Sequence, residues 1–220
     1  MAGRTVTRHP DDWLELAQIA FKIADAARIE VSSAFAFGGG TMLMSRMHHR
    51  LSRDLDIFLA DAQYLTYLSP RLNAAAEHYE NYEETSHHVR IAVGDREIDF
   101  IVAPHLTSVP TQAQEILGRP VAVETTAEIL AKKLFYRGRT LKPRDVFDLA
   151  TTIRLQPDAL PTAQVIRDLL NGKLREGIDR RLAELQSDWA TRATTIDVLP
   201  AGTPILPHTI EIAGEWMAGI

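Results

Sequence analysis

The sequence predicts an α+β fold, with a mixed β-sheet core flanked by helices over residues 1–120 and a helical half over residues 121–220. Two observations predict it. In the first half, segments with apolar residues three and four apart alternate with short runs of β-branched and aromatic residues. In the second half, helical spacing continues with few interruptions. The boundary is placed near Pro120, where the character of the sequence changes.

Each element of the first half follows from its local pattern. Apolar residues at helical spacing predict helices over residues 10–27, 41–47 and 71–79. Short apolar runs predict strands over residues 33–37 and 54–59. The strongest prediction is a hairpin of residues 88–93 and 97–102 joined at Gly94-Asp95, which leaves Asp99 on its polar face.

The second half is predicted to be helical except for one loop. Helices are expected over residues 126–137, 144–153, most of 162–192, and 209–217, with a loop over 194–207. Thr125 and Glu128 form a capping-box pattern at the start of the first of these helices.

The composition is that of a soluble globular protein. Of 220 residues, 45% are hydrophobic and 24% are charged, and the absence of cysteine excludes disulfides and thiolate metal sites. No run of about 18 apolar residues is present, so we expect a cytoplasmic protein with no membrane partner. The net charge of −5 argues weakly against nonspecific coating of nucleic acid, but it leaves room for a local basic cleft.

Two aspartates in the second predicted strand indicate a divalent metal site. Asp54 and Asp56 are two positions apart, so in a strand they share one face and repel each other unless a cation lies between them. Mg²⁺, or Mn²⁺, takes such carboxylates together with substrate phosphates. Asp99, on the polar face of the neighbouring hairpin, is the candidate third carboxylate.

The glycines that precede this strand suit a phosphate. Gly39 and Gly40 permit close backbone approach, and Thr41 can open a helix whose N-terminus favours anions. Structural alternatives remain open: a glycine run is more often a turn, and an isolated Asp-x-Asp is more often a solvated strand face. His48 and His49 are expected at the surface.

The helix predicted over residues 126–137 offers two lysines. Lys132 lies four residues after Glu128, which favours a solvated surface ion pair. Lys133 lies four residues before Arg137, and an anion between these like charges would remove their conflict, so Lys133 is the predicted phosphate ligand. In the next helix, Asp148 is spaced to pair with Arg144, and the structural and catalytic interpretations are about equally favoured.

Two motif blocks, residues 37–58 and residues 126–149, together resemble the AbiEii/AbiGii-type nucleotidyltransferase toxins. The MenT toxins are similar to these, and all belong to the DNA polymerase β-like nucleotidyltransferase superfamily. The resemblance covers roughly residues 35–155. It is carried by Phe37-Gly38-Gly39-Gly40-Thr41 with Leu43, His49-Arg50 with Ser52 and Asp54-Leu55-Asp56-Ile57-Phe58, Thr126-Ala127-Glu128-Ile129-Leu130-Ala131 with Lys133-Leu134, Arg137, Arg144-Asp145 and Asp148-Leu149. Gly38 is additional to the family pattern.

The resemblance implies a nucleotidyltransferase-type fold and a role for each matched residue. Gly39, Gly40, Thr41 and Ser52 would line the triphosphate of an NTP, and Asp54 and Asp56 would bind the metal. Lys133 and Asp148 would complete the catalytic site, with Arg137 and Asp145 nearby. The acceptor of some members is the 3′ end of tRNA, and the resemblance implies a cognate antitoxin encoded nearby.

Arg46, Arg50 and Arg53 adjoin the predicted metal strand, and this local charge suggests that they hold an RNA acceptor. Structural salt bridges of these arginines are the alternative. Two other functions also stay open: transfer of a nucleotide to a small molecule or a protein, and a degenerate module that binds nucleotide without turnover. A basic groove around residues 46–53 would favour RNA, and an acidic or apolar groove would favour the small molecule or protein.

Overall fold

The computed structural model describes residues 9–220. The helices are α1 Trp13–Ala26, α2 Val31–Ala34, α3 Gly39–Met47, α4 Gln63–Leu68, α5 Thr126–Arg137, α6 Pro143–Leu155, α7 Ala163–Leu169, α8 Gly172–Gln186, α9 Trp189–Ala193 and α10 Thr209–Ala218. The strands are β1 Phe35–Gly38, β2 Leu55–Leu59, β3 Tyr82–Glu84, β4 His88–Val93, β5 Arg96–Val102, β6 Thr111–Ile116 and β7 Arg119–Glu124. They form a mixed seven-stranded sheet in the order β3-β4-β5-β2-β1-β7-β6.

Strand β2 lies at the centre of this sheet, between the strand that ends at the glycine motif and the strand that carries Asp99. It pairs antiparallel with β1, which places Gly38 opposite Asp56, and parallel with β5, which places Asp56 beside Asp99. Alternate residues of β2, such as Leu55 and Ile57, are fully buried in the main hydrophobic core, which also contains α1. The other face of β2 is therefore left to carry the polar side chains.

The hairpin of β4 and β5 is confirmed, with Gly94 at a positive φ of 65° in the turn. The helix predicted over residues 71–79 is wrong: α4 lies earlier, at Gln63–Leu68, and turns follow it. The backbone becomes extended at Ser69, as expected for a residue before proline. The Asn73 side chain then bonds the carbonyls of Ile23 and Tyr67 and the amide of Ala75, which stabilises turns at the expense of helix.

The other departures lie at strand boundaries. Residues 33 and 34 belong to α2, so β1 begins at Phe35. Strands β3, β6 and β7 were not predicted. Strand β3 is short and exposed, and strand β6 is mostly polar and exposed, so neither has the apolar pattern of a buried strand. The predicted boundary at residue 120 lies within β7, which pairs in parallel with β1, so the sheet continues to Glu124.

Helix α5 has the predicted bounds, and the segment 162–192 divides into α7, α8 and α9. The C-terminal tail returns to the first half of the chain: the amide of Leu51 donates to the carbonyl of Asp197, and the amide of Leu199 donates to the carbonyl of His49. Residues 197–199 therefore support the loop that leads into β2. Among residues 9–220, the helices are too short or too polar to cross a membrane.

Candidate active site

A cleft of about 380 Å³ lies between the polar face of the sheet and helices α5 and α6. It brings together most of the residues singled out in the sequence. Its lining includes Gly39, Gly40, Ser52, Asp54, Asp56, Asp99, Lys133 and Arg137. Thr41 and Asp148 are fully buried and do not line it, so their side chains act through neighbours.

The floor of the cleft carries three carboxylates on two adjacent strands. Asp56 on β2 lies beside Asp99 on β5, and Asp54 immediately precedes β2. The amide of Glu97 donates to Asp54 Oδ1 at 3.2 Å. Burial and the nearby charge of Asp99 raise the pKa of Asp56 to about 6. The ionised form of Asp56 is therefore poorly compensated by the protein alone.

The glycines are required by close packing around these carboxylates. Gly39 has a φ of 68°, and a Cβ at this position would overlap the Asp56 carboxylate. A Cβ at Gly40 would crowd the Arg50 guanidinium, and one at Gly38 would overlap Glu124. All three backbones thus approach charged side chains as closely as glycine allows.

Thr41 fixes the backbone at Asp54 from the side away from the cleft. Its hydroxyl donates a short hydrogen bond to the backbone carbonyl of Asp54, and its side chain is fully buried. The amide of Ser52 donates to Met44 Sδ on α3 at 3.1 Å. Helix α3 therefore fixes the start of β2 through contacts that the glycine-threonine motif alone does not reveal.

One face of α5 forms the wall opposite the sheet. Ile129, Lys132, Lys133, Tyr136 and Arg137 all line the cleft, and their spacing of three, one, three and one residues places them on one helical face. Helical periodicity of the charged and aromatic residues was the signal that could have found Tyr136, which the sequence reasoning missed.

Lys133 lies in the cleft, as predicted, but it is already bound to carboxylates. Its Nζ atom lies 2.5 Å from Asp145 Oδ1 and 3.0 Å from Asp148 Oδ2. Arg137 NH1 lies 3.8 Å from the same Asp145 oxygen. Burial opposes the ionisation of Asp145, but Lys133 outweighs it and lowers the pKa of Asp145. The anion between Lys133 and Arg137 is thus supplied by Asp145 of the protein itself.

Asp148 is the centre of a buried cluster that contains Arg50, Lys133 and His49. Its Oδ1 lies 2.6 Å from Arg50 Nε and 2.7 Å from His49 Nε2, and its Oδ2 lies 2.8 Å from Arg50 NH2. Although burial opposes ionisation, Arg50 and Lys133 hold the pKa of Asp148 well below its usual range. Asp148 thus pairs with these residues instead of Arg144, and the prediction that His49 lies at the surface is wrong.

The prediction of a solvated Lys132–Glu128 pair is also wrong. Lys132 is only 5% exposed, and its Nζ lies 2.5 Å from Glu124 Oε1 and 3.6 Å from Glu128 Oε1. Glu128 in turn accepts the amides of Leu106 and Thr107. Burial raises the pKa of Glu124 to about 7, although Lys132 lowers it. Lys132 therefore neutralises buried carboxylates and is not a surface charge.

The basic groove expected around residues 46–53 is not formed as such. Arg50 is buried against Asp148. Arg46 donates to the Glu124 carbonyl and to Thr126 Oγ1, and burial lowers its pKa. Arg53 is bound to Asp197 at 2.9 Å. Each of the three arginines is engaged in a contact within the fold.

The carboxylates suit a divalent ion only in part. Asp99 is bound by Arg90, whose Nε lies 2.8 Å from Asp99 Oδ1. Within residues 9–220, no three acidic or histidine side chains converge into a metal-binding group. The predicted role of Asp99 as a third metal ligand therefore lacks support. Asp54 and Asp56 alone match the one or two carboxylates that Mg²⁺ combines with substrate phosphates.

Comparison with solved structures finds similar folds. JHP933 from Helicobacter pylori is 16% identical, with a TM-score of 0.53 over 97% of this chain and 92% of that chain. A nucleotidyltransferase described as putative, from H. pylori, is 16% identical, with a TM-score of 0.53 over 97% and 95%. MenT4, a nucleotidyltransferase toxin from Mycobacterium tuberculosis, is 18% identical, with a TM-score of 0.49 over 81% and 68%. The curated proteins contain no match.

The family comparison is more specific, because it rests on the sequence. The model of the nucleotidyl transferase AbiEii toxin of type IV toxin–antitoxin systems matches residues 23–202. This range includes both motif blocks, the cleft and the tail segment that supports the loop before β2. The chain therefore belongs to the AbiEii family of toxins and is a nucleotidyltransferase.

Proposed function

We propose that this nucleotidyltransferase moves a nucleotide from an NTP to the 3′ end of tRNA, as the toxin partnered by a cognate antitoxin. The single observation that carries the transfer chemistry is the opposition of charges across the cleft. Asp54 and Asp56 lie on the sheet, and Lys133 and Arg137 face them from α5. This arrangement suits a triphosphate that contacts a cation on one side and basic side chains on the other.

Asp54 and Asp56 are the residues that would hold Mg²⁺ or Mn²⁺. The pKa of Asp56 is raised, and Asp56 lies beside Asp99, so a bound cation would stabilise the ionised form of Asp56. When bound, the metal would neutralise phosphate charge and favour attack by the acceptor hydroxyl. Gly39 and Gly40, at the start of the nine-residue helix α3, offer backbone amides to the phosphates.

The roles of the basic side chains follow from their contacts. Lys133 is 10% exposed and lies at the cleft surface, where it can exchange part of its contact with Asp145 for a phosphate oxygen. Arg137 is more exposed, and its 3.8 Å contact with Asp145 is loose. Asp148 is a positioning residue, because it fixes Arg50 and Lys133 without reaching the cleft.

The acceptor is proposed to approach along α6. Lys142 and Arg144 are exposed and line the cleft, and in the described part of the chain no acidic side chain pairs with Arg144. These cations replace Arg46 and Arg50 as the candidates that hold a phosphate backbone. A few uncompensated charges at one end of a cleft suit the end of an RNA better than a long duplex.

Transfer to a cationic small molecule is the second candidate. The cleft that adjoins the first at Ser52 and Asp54 is lined by acidic as well as basic residues, among them Glu97, Arg53 and Arg96. Acidic side chains near the proposed metal site favour a positively charged acceptor. The charge of this second cleft is mixed, because Arg53 and Arg96 line it together with Glu97.

Labelling separates these functions. The protein is incubated with each α-³²P-labelled NTP, Mg²⁺ or Mn²⁺, and total RNA, purified tRNA or an aminoglycoside mixture, with Asp54→Asn as the inactive control. Label in tRNA that is lost when its 3′ terminus is blocked supports the proposal. Label in a small molecule or in protein alone supports the alternative. NTP binding without any labelled product identifies a degenerate module. Growth arrest on expression, relieved by the adjacent gene, tests the partnership with an antitoxin.

A further inference from the structure

The cleft changes from acidic to apolar along its floor. On β2 the residues that face it run from Asp54 through Asp56 to Phe58, and on β5 they run from Glu97 through Asp99 to Ile101. The register sets Asp56 beside Asp99 and Phe58 beside Ile101. Two residues along a strand span about 7 Å. The cleft therefore has an acidic end for a metal–triphosphate group and a separate end floored by Phe58 and Ile101, where Lys132 Nζ lies 3.8 Å from the centroid of the Phe58 ring.

An exposed aromatic ring lies on the wall of the cleft. Tyr136 is 51% exposed, although it lines the cleft on the same face of α5 as Lys133 and Arg137. Helical side chains lean toward the helix N-terminus, which directs Tyr136 along α5 toward Ile129 and Lys132. Val102 and Ala103, where β5 ends, line the cleft as well. Tyr136 thus belongs to the end of the cleft lined by Ile129, Lys132 and the end of β5.

The position of the Tyr136 ring is set by its neighbours. Phe135 and Tyr136 form a T-shaped pair, with ring centroids 5.0 Å apart and an interplanar angle of 84°. Burial and the charge of Glu128 both raise the pKa of Tyr136, so the ring stays neutral at physiological pH. A neutral aromatic ring that is held by one neighbouring ring and remains half exposed is suited to stacking against a flat ligand.

We propose that Tyr136 stacks against the nucleobase of the bound NTP, and that Phe58 and Ile101 form the apolar floor of this nucleobase subsite. The inference rests on the proposed function, because it needs the triphosphate to lie at the acidic end. It assigns the base to the other end, which Phe58, Ile101 and Tyr136 line. Stacking accepts any base, so the Tyr136 platform contributes affinity, and selection among bases falls to polar groups around it.

Binding without an acceptor tests the subsite. Calorimetry measures the dissociation constants of each NTP and of inorganic tripolyphosphate, a ligand that lacks the base, in the presence of Mg²⁺. The wild type should bind at least one NTP more tightly than tripolyphosphate. Tyr136→Ala should weaken the affinity for that NTP by roughly 5- to 150-fold, the range for loss of a base-stacking aromatic, and leave the affinity for tripolyphosphate unchanged. Tyr136→Phe should keep the wild-type preference.

Tyr67→Ala is the matched control, because Tyr67 is 59% exposed on α4 and does not line the cleft. It should bind both ligands as the wild type does. Equal NTP affinities of Tyr136→Ala and the wild type would overturn the subsite, as would equal affinity of the wild type for tripolyphosphate and every NTP. If the wild type binds neither ligand, the proposed function fails, and the subsite fails with it.

Discussion

Gly39 lies directly against the carboxylate of Asp56, at a backbone φ of 68° that places the missing Cβ where an Asp56 oxygen is found. Two independent constraints therefore act on one residue. The left-handed backbone disfavours other side chains, and the carboxylate excludes any atom beyond the glycine hydrogen. The glycine turn and strand β2, to which we assign the phosphates and the metal, are built as one unit.

Gly39→Ala should abolish nucleotide transfer by displacing the Asp56 carboxylate. Gly94→Ala is the matched control, because Gly94 has a φ of 65° but has open space where its Cβ would lie. Both substitutions carry the left-handed strain of about 1–2 kcal/mol, which thermal unfolding will show. Only Gly39→Ala should lose transfer and metal affinity. Equal transfer rates of the two variants would contradict the packing argument.

The metal-free protein should lose stability as the pH rises from about 4 to 6. Asp56 has a folded-state pKa raised to about 6, so it holds its proton more tightly in the folded than in the unfolded chain. Its ionisation above the unfolded pKa is therefore destabilising. Asp56→Asn removes this contribution, and its unfolding free energy in EDTA should fall less over this range than that of the wild type. Parallel pH profiles of the unfolding free energy in the two proteins would show that the ionisation of Asp56 does not destabilise the fold.

Asp56→Asn and Asp54→Asn should each lose transfer at saturating Mg²⁺, because each substitution removes one of the two carboxylates that we propose as metal ligands. Calorimetric titration with Mn²⁺ in the presence of NTP should show weaker binding for both variants. Asp95→Asn is the control, since Asp95 lies in the exposed turn between β4 and β5 and outside the main cleft. Wild-type transfer by either variant would exclude that aspartate as a metal ligand.

Lys132 and Lys133 should differ in what they stabilise. Lys132→Met leaves Glu124 and Glu128 buried without their cation, so the unfolding free energy should fall by about 3–5 kcal/mol. After Lys133→Met, Arg50 still pairs with Asp148 and Arg137 still lies near Asp145, so both buried carboxylates keep a cation. The unfolding free energy should therefore fall less than in Lys132→Met, and the main effect of Lys133→Met should be on transfer. Urea unfolding and single-turnover labelling at 10 °C separate the two effects. Identical losses of stability and of transfer in both variants would contradict this distinction.

Arg144→Glu should weaken RNA labelling and reduce its dependence on salt, while NTP binding stays near normal. Arg154→Glu is the control on the same helix, because Arg154 is exposed on α6 but does not line the cleft. Labelling is measured between 50 and 200 mM KCl, and the slopes of its logarithm are compared. Equal slopes for Arg144→Glu, Arg154→Glu and the wild type would remove α6 from the acceptor path.

The sequence was informative where chemistry and local pattern coincide. The strand around Asp54 and Asp56, the glycine turn, the hairpin that carries Asp99 and the bounds of α5 all depend on residues close in the chain. The N-cap of α5 is an example: Thr125 accepts the amide of Glu128, as the pattern predicts, at 3.2 Å. Local patterns are therefore sufficient to locate the candidate site.

The burial of charged residues could not be predicted in the same way. Lys132 and Glu128 are spaced as a solvated pair, and only the approach of Glu124, Leu106 and Thr107 from distant segments makes them internal. From its sequence context Arg50 was assigned to an RNA acceptor, with a structural salt bridge as the alternative, and its partner Asp148 lies 98 residues away in the chain. Tertiary partners decide whether a charge binds substrate or supports the fold.

The pairing of residues 197–199 with the loop at 49–51 has a consequence for synthesis of the protein. The segment before Asp54 emerges early from the ribosome, and the tail segment that supports it emerges much later. A nascent chain that stops before residue 194 has the motif residues but lacks the backbone bonds that hold His49 and Leu51 in place. The backbone hydrogen bonds that support the loop before β2 therefore form only after this tail segment has been translated.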